Sequence, residues 1–222
     1  MRIGLLTCMW KRHELFRIYK RGIERLRKIH PIEVVIVGSE GWQSEKLCDG
    51  FFYVEHPNSP LGAKSNAGMK FMELLSPDYV IGMGSDDFMS DSLFRFILNR
   101  CDEGYDQIGF SDIWFYDKLN NVLGYWKGYT NYREGEPVGA GRVLSSRLLN
   151  LLAWQPRDEV ERSLDYTITK KLENIEHKKY ICSLKENNLF LVDVKTETNL
   201  CLYNPEILRE DDINLLKQIP EL

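Results

Sequence analysis

The chain has few cysteines and none that are paired in sequence. Cys8, Cys48, Cys101, Cys182 and Cys201 are the five in 222 residues, widely spaced and without a C-x-x-C pair. Neither a disulfide framework nor a thiolate zinc site is expected, and reduced thiols in a cytoplasmic protein are. Long hydrophobic runs are also missing: no stretch approaches the ~18 apolar residues of a membrane span. The opening MRIGLLTCMWKRHEL is broken at Lys11, Arg12 and His13 with no small-residue cleavage site behind it, so no signal peptide or transmembrane segment is expected. Positive charge is not in excess. With 29 Lys and Arg against 33 Asp and Glu, a net of -4, the chain has no field to hold a polyanion, which excludes nucleic acid as its main partner. His13, His30, His56 and His177 lack any H-E-x-x-H spacing and read as structural or surface residues. There is no internal repeat, low-complexity tract or linker.

What is present is apolar material, 43% of the residues, enough for one sizeable core. A single domain over 1–222 is expected, since a chain of ~200 residues buries roughly 70% of its unfolded surface. Ile3-Gly4-Leu5-Leu6-Thr7 reads as a strand. Leu15, Ile18, Tyr19, Gly22, Ile23, Leu26 and Ile29 recur at three and four, an amphipathic helix ended by His30-Pro31. Its Arg17, Lys20, Arg21, Arg25, Arg27 and Lys28 read as a solvated face. Glu33-Val34-Val35-Ile36-Val37 is a second strand covered on both faces, and Phe51-Phe52-Tyr53-Val54 a third. A second helix is predicted with Ala63, Ala67, Phe71, Leu74 and Leu75 on its apolar face, stopped by Pro77. Tyr79-Val80-Ile81-Gly82-Met83 is a fourth strand, and Ser90 caps a helix through Leu93, Phe94, Ile97 and Leu98. Such alternation predicts an α/β fold: a central mixed, mostly parallel sheet flanked by helices, with ligands bound beyond the carboxyl ends of the strands.

The second half reads differently. Ile108-Gly109-Phe110, Ile113 to Tyr116 and Val122 to Trp126, with Asn120-Asn121 between the last two, look like antiparallel strands and a hairpin. A helix carrying Leu148, Leu149, Leu151 and Leu152, another from about Glu159 to Leu172, and late strands near Tyr180 and near Phe190 to Val194 complete the outline. The two halves are expected to share one sheet.

Asp86 and Asp87 carry the most chemistry. Adjacent acids directly after an apolar strand lie at the carboxyl edge of the sheet, where burial is costly unless a cation or several donors neutralise them. Mg²⁺ or Mn²⁺ suits such a pair, completing its shell with water and phosphate oxygens. The same pair also suits a turn before a helix N-terminus, where acids are favoured anyway.

Other strand ends add to this rim. Thr7 and Lys11-Arg12-His13-Glu14-Leu15 follow the first strand, Glu40 follows the second, and Gly62-Ala63-Lys64-Ser65-Asn66-Ala67-Gly68 opens the second helix. Together they resemble the nucleotide-sugar-binding half of GT-A-fold glycosyltransferases, particularly the large inverting single-domain family with a D-x-D motif. The resemblance covers residues 1 to about 170. It implies a Rossmann-like GT-A fold with a donor half over about 1–100 and an acceptor half over about 101–222. It further implies nucleotide-sugar binding by Thr7, Arg12, Glu40, Lys64, Asn66, Ser85 and Asp86, with Asp86 and Asp87 on a divalent metal, Mn²⁺ or Mg²⁺. Gly84-Ser85-Asp86-Asp87 is similar to D-x-D, with Gly84 in place of the first Asp.

The resemblance also implies a general base late in the chain. Gly139-Ala140-Gly141-Arg142 looks like the loop opening the acceptor region, and Trp154-Gln155-Pro156-Arg157-Asp158-Glu159 followed by Leu164-Asp165-Tyr166 resembles an acid-rich stretch ending in an E-D pair. Asp165 takes the last place of that pair, Leu164 replaces the acid before it, and Glu161 is the nearest substitute. Gly141, Arg142, Asp158 and Glu159 fall on the acceptor side. His177 would be a late-chain metal ligand, Trp114, Tyr116, Tyr125, Trp126, Tyr129 and Tyr132 either a sugar platform or hairpin core, and Asp193-Val194-Lys195-Thr196 reaches the rim without an assigned role.

The implied activity is transfer of a sugar from a nucleotide-diphosphate donor, a UDP-sugar by preference, to a saccharide or lipid-linked hydroxyl with inversion. Two other readings stay open. A nucleotidyltransferase on a related sheet would want a G-G-x-G-x-R loop where this chain has Thr7-Cys8-Met9-Trp10, and a nonenzymatic nucleotide- or carbohydrate-binding domain would accommodate Gly84 and Leu164.

Overall fold

The computed structural model describes residues 1–197 and 203–222; Cys201 lies outside the described residues. The first part runs β1 (Ile3–Cys8), α1 (His13–Arg27), β2 (Ile32–Gly38), α2 (Trp42–Leu47), β3 (Phe52–Glu55), α3 (Leu61–Leu75), β4 (Tyr79–Gly84), β5 (Asp87–Met89) and α4 (Asp91–Asp102). There follow β6 (Gln107–Phe110), β7 (Ile113–Asp117), β8 (Val122–Trp126), β9 (Arg142–Ser145), α5 (Ser146–Leu151), α6 (Leu164–Leu172), β10 (Lys179–Cys182), β11 (Leu191–Lys195) and β12 (Arg209–Glu210).

A seven-stranded sheet in the order β10-β6-β9-β4-β1-β2-β3 forms the centre. Only β9 runs against its neighbours in it. The alternation of side chains explains why its strands are apolar throughout. Ile3 and Leu5 of β1, Val34 and Ile36 of β2 and Ile81 and Met83 of β4 enter one core with Phe16, Tyr19 and Ile23 of α1 and Phe94 and Ile97 of α4. Leu6, Val35, Val37 and Val80 point the other way, into a second core with Met69 and Met72 of α3, Leu148 of α5 and Ile168 of α6. Each such large side chain contributes roughly 1.5–3 kcal/mol when fully buried.

Several details depart from the sequence reading. The two halves do not share a single sheet: β6, β9 and β10 join the central one, while β7, β8, β11, β12 and β5 make a second, five-stranded sheet whose apolar face packs into the larger core. The face of α3 that meets the sheet is not its apolar stripe. Gly62, Ser65, Met69 and Met72 are buried, whereas Leu74 is 76% exposed and Phe71 turns to Phe52 on the edge strand, ring centroids 5.7 Å apart. Small residues let that helix sit close, and close approach outweighs hydrophobicity at this contact. The helix expected from Glu159 begins only at Leu164, because 157–161 lies across the start of α3 instead. The hairpin and the Ser90 cap are as expected: β7 pairs with β8 antiparallel, Asn121 adopts a left-handed φ of 55°, and Ser90 Oγ accepts from Leu93 N at 3.3 Å. No helix among the described residues is long and apolar enough to cross a membrane.

Candidate functional site

The carboxyl ends of β1 and β4 open into a cavity of about 540 Å³, walled on the far side by the second sheet. Its acidic end is built by strand pairing. Asp87 starts β5 and Asp193 sits in β11, and the antiparallel register sets these two residues directly opposite each other. Asp86, one residue earlier, completes a group in which one oxygen from each carboxylate lies within 4.8 Å of the others. Like charges facing each other across strands repel, and burial makes this worse. Burial first, then the Asp86 charge, pushes the Asp193 carboxyl up to about 7, although Lys195 opposes the shift. The same causes raise Asp87 well above the ordinary carboxylate range.

Two cations already answer part of this charge. Lys195 Nζ donates to Asp193 Oδ2 at 2.6 Å, and an Arg12 guanidinium nitrogen pairs with Asp86 Oδ2. Arg12 reaches it from a turn in which Lys11 (φ 56°) and Arg12 (φ 46°) are both left-handed, a conformation that costs non-glycine residues energy and tends to persist where surrounding structure enforces it. When all three carboxylates are ionised, the two cations leave one negative charge. Among the described residues Asp193 Oδ1 is buried without a hydrogen-bond partner, and the donor set is entirely hard carboxylate oxygen. These residues fit a small divalent cation such as Mg²⁺ or Mn²⁺.

The floor of the cavity is positive. Lys64 is 1% exposed, its Nζ donating to Met9 O at 2.6 Å and to Asn58 Oδ1 at 3.1 Å, and burial lowers its pKa. Arg157 pairs with Ser65 Oγ nearby, its pKa also lowered by burial. Cys8 lies among them, and burial raises its thiol against the pull of Lys64 and Arg157.

Asp165, in the first turn of α6, occupies the opposite wall. Its backbone O accepts from Arg142 Nη1 at 3.2 Å, and its Oδ2 accepts from the Tyr129 hydroxyl at 2.7 Å. A Cβ on Gly139 would lie 2.2 Å from Asp165 Oδ1, so only glycine admits the carboxylate here. Burial lowers Arg142 to about 10, with Asp165 countering the shift. Phe115, Trp126, Tyr129, Ile113 and Ile207 also line the cavity, with Phe115 paired to Asp193 across β7 and β11.

Of the residues singled out in the sequence, Arg12, Lys64, Asp86, Asp87 and Asp165 line this cavity. Trp126, Tyr129, Glu161, Asp193 and Lys195 line it as well, whereas Thr7, Glu40, Asn66, Ser85, Gly141, Arg142, Asp158 and Glu159 lie off its lining. Thr7 hydrogen-bonds the Tyr19 hydroxyl inside the core. Glu40 accepts from Lys11 N at 2.8 Å, His13 Nε2 at 3.1 Å and Ser44 Oγ at 3.4 Å, all on Oε2; burial would raise its pKa, but these bonds lower it overall. Asn66 clamps the Arg157 backbone through two bonds of 2.8 and 3.2 Å. Ser85 is buried with its hydroxyl unpaired among the described residues. Gly141 donates its N–H to Gly82 O at 2.9 Å, and Arg142 stands behind Asp165. Asp158 and Glu159 are exposed; the Asp158 side chain pairs with Lys171 at 3.0 Å, and its backbone O occupies the place a Gly62 Cβ would take. Glu161 lines the cavity, but its Oε2 accepts from Ser59 Oγ at 2.9 Å and Leu61 N at 3.2 Å, capping α3.

His177 does not meet the acidic group. It precedes β10, a strand running parallel to β6, and so lies at the amino edge of the sheet within 2.9 Å of Gln107 Oε1. Trp114, Tyr125 and Tyr132 also lie off the cavity: Trp114 Nε1 donates to Asp211 at 3.1 Å, the Tyr125 hydroxyl donates to Asp112 at 2.7 Å, and Tyr132 is 86% exposed. Asp193, Lys195 and Arg157 are cavity residues for which sequence reasoning found no role, and Tyr129 was expected only within a sugar platform or hairpin core. Asp193 and Lys195 had a usable signal, two charges at alternate positions of an apolar strand, Leu191-Val192-Asp193-Val194-Lys195. The aromatic cluster of the hairpin region pointed to Tyr129, but not to its bond with Asp165.

This architecture, with its cavity at the carboxyl edge of a mostly parallel sheet, is a GT-A-like fold. No protein-family model matches the sequence, and no curated protein matches it. Among solved structures, TarS residues 1–349 from S. aureus, a glycosyltransferase, matches with a TM-score of 0.59 at 13% identity, over 87% of this chain and 60% of that one. The inositol-1-phosphate CTP transferase from T. maritima matches at 0.55 and 12% identity, over 100% of this chain and 97% of that one. Bifunctional IspDF from Campylobacter jejuni matches at 0.53 and 13%, over 82% of this chain and half of that one. The chain thus spans about three-fifths of TarS and half of IspDF. At such identities the likeness is one of fold.

Proposed function

We propose that the protein is a glycosyltransferase that moves a sugar from a nucleotide-diphosphate donor to a hydroxyl acceptor with inversion. The observation that carries this reading is the placement of Asp165 across one cavity from the Asp86, Asp87 and Asp193 group. A phosphate acceptor is already anionic, whereas a hydroxyl must lose a proton to become a strong nucleophile. Asp165 would take that proton as the acceptor oxygen attacks the anomeric carbon and the bond to the diphosphate oxygen breaks, its electron pair leaving with the nucleoside diphosphate. Lys64, Arg157 and Arg12 offer positive charge to the phosphates. Asp86, Asp87 and Asp193 would hold Mn²⁺ or Mg²⁺, which when bound supplies positive charge to the departing diphosphate. A UDP-sugar is the preferred donor, and a saccharide or lipid-linked hydroxyl the acceptor.

In this reading residues 1–100 bind the donor and 101–222 the acceptor, with Asp193 crossing into the donor site. The four described cysteines are free, which suits a reducing compartment, and we assign the enzyme to the cytoplasm.

The test is release of nucleoside diphosphate from a panel of UDP- and GDP-sugars with Mn²⁺. Asp165→Asn is expected to abolish release while donor binding stays within a few-fold, and Asp86→Asn with Asp87→Asn to remove the difference in thermal shift by UDP between Mn²⁺ and EDTA. The near full-length match to the CTP transferase fold favours nucleotidyl transfer as the second reading. Release of pyrophosphate from CTP with a sugar phosphate, and no diphosphate from the panel, would select it.

A further inference from the structure

We propose that Tyr129 is a positioning residue for the Asp165 carboxylate, fixing which of its two oxygens receives the acceptor proton. The proposal rests on the assignment of Asp165 as base.

Each freedom of the Asp165 side chain is removed by a different neighbour. Arg142 holds the backbone O of Asp165, which fixes where α6 begins. The bare Cα of Gly139 leaves room for Oδ1, and both residues line the cavity. What remains is rotation of the carboxylate, and the Tyr129 hydroxyl stops it by donating to Oδ2 at 2.7 Å. With Oδ2 occupied, Oδ1 is the oxygen left for a substrate proton.

Tyr129 is itself held on both sides. The Arg133 guanidinium lies 3.6 Å from its ring centroid, and Arg133 Nε donates to Glu136 Oε2 at 2.8 Å. Trp126 meets the ring edge-on at 4.9 Å. A ring fixed in this way gives its hydroxyl one direction, and a catalytic group held by a fixed donor reaches its productive geometry more often. Burial and the Asp165 charge also raise the Tyr129 phenol, so it remains a donor at neutral pH.

The test compares the wild-type protein with Tyr129→Phe, Asp165→Asn and the double variant. UDP-glucose, UDP-N-acetylglucosamine, UDP-galactose and GDP-mannose with Mn²⁺ serve as donors, water as acceptor, and released UDP or GDP as readout. Tyr129→Phe keeps the ring and its packing. It is expected to lower kcat by roughly 10-fold with KM unchanged, against a loss of roughly 10²–10⁴ for Asp165→Asn. The double variant should be no slower than Asp165→Asn alone, since the hydroxyl acts only through that carboxylate. An unchanged kcat in Tyr129→Phe beside an inactive Asp165→Asn, or losses that multiply in the double variant, would overturn the role of Tyr129 alone. Full turnover in Asp165→Asn overturns the base assignment and this proposal with it, as does a wild-type protein that releases nothing from any donor. Thermal unfolding of the same four proteins supplies a readout independent of activity: non-additive changes in Tm are expected, and additive ones would deny the hydroxyl–carboxylate bond.

Discussion

Asp87 and Asp193 stand directly opposite each other across the antiparallel pairing of β5 with β11, a buried and a part-buried carboxylate in a register that brings like charges together. The strands hold them there through backbone hydrogen bonds and through the apolar neighbours Phe88, Met89, Leu191 and Val192. Packing elsewhere therefore sustains an arrangement that is locally unfavourable.

Replacing Asp87 by Asn keeps the shape and an oxygen able to accept from the Gly84 amide, and removes one of the opposed charges. In EDTA this variant is expected to be more stable than wild type, by up to ~1 kcal/mol for a relieved like-charge pair. With Mn²⁺ the order should reverse. Urea unfolding in both buffers measures this; a destabilised variant in EDTA would contradict the repulsion.

The pH dependence has a definite sign. Asp193 is raised to about 7 in the folded state and Asp87 is raised as well, so both bind protons more tightly when folded than when unfolded. Their contribution to stability is fully present below the unfolded carboxylate range, near pH 4, and is lost as pH rises toward 7. The Tm of metal-free wild type minus that of Asp87→Asn with Asp193→Asn should therefore fall from pH 5 to pH 7.5. Saturating Mn²⁺, which binds the ionised form, should reverse the slope. A difference that does not move with pH would reject the coupled acidic group.

Gly139→Ala puts a methyl 2.2 Å from Asp165 Oδ1, a distance that forces one of them to move. A cost of about 1–3 kcal/mol is expected, in the range of other overpacked sites. Turnover should fall more than nucleotide binding does, because the displaced group is Asp165 and the phosphate-facing residues are elsewhere. Equal losses in both would indicate a general disturbance.

Glu161 fastens the 157–163 segment to the start of α3. Glu161→Ala is expected to cost about 0.5–2 kcal/mol, as for loss of a helix cap, and Glu161→Gln less. Faster proteolysis within 157–163 in Glu161→Ala would show that the carboxylate is the fastener.

Strands β1 to β4 of the central sheet were legible because they are short and apolar, whereas β9 (Arg142–Ser145) was not foreseen, its residues having been read as a loop opening a helix. Asp86 and Asp87 were legible because acids stand out directly after such a strand. What escaped is what depends on partners distant in the chain. The role of Asp193 becomes visible only when β11 pairs with β5, that of Tyr129 only when the hairpin wall meets α6. The buried face of α3 was misread because its closest approach to the sheet uses Gly68, where a Cβ would lie 2.4 Å from Leu6 and Val37, and a hydrophobic pattern overlooks glycine. Glu40 was expected among the nucleotide-sugar-binding residues, and its bonds to Lys11, His13 and Ser44 come from neighbours in space that no spacing reveals.

The pairing of β5 with β11 also bears on when the acidic group can exist. More than a hundred residues separate Asp87 from Asp193, and closing so long a loop is among the slower steps of folding. During synthesis β1, β2, β3 and β4 can pair as soon as they emerge, while the acidic group must await β11. A nascent chain would thus acquire its central sheet well before it could bring the three carboxylates together.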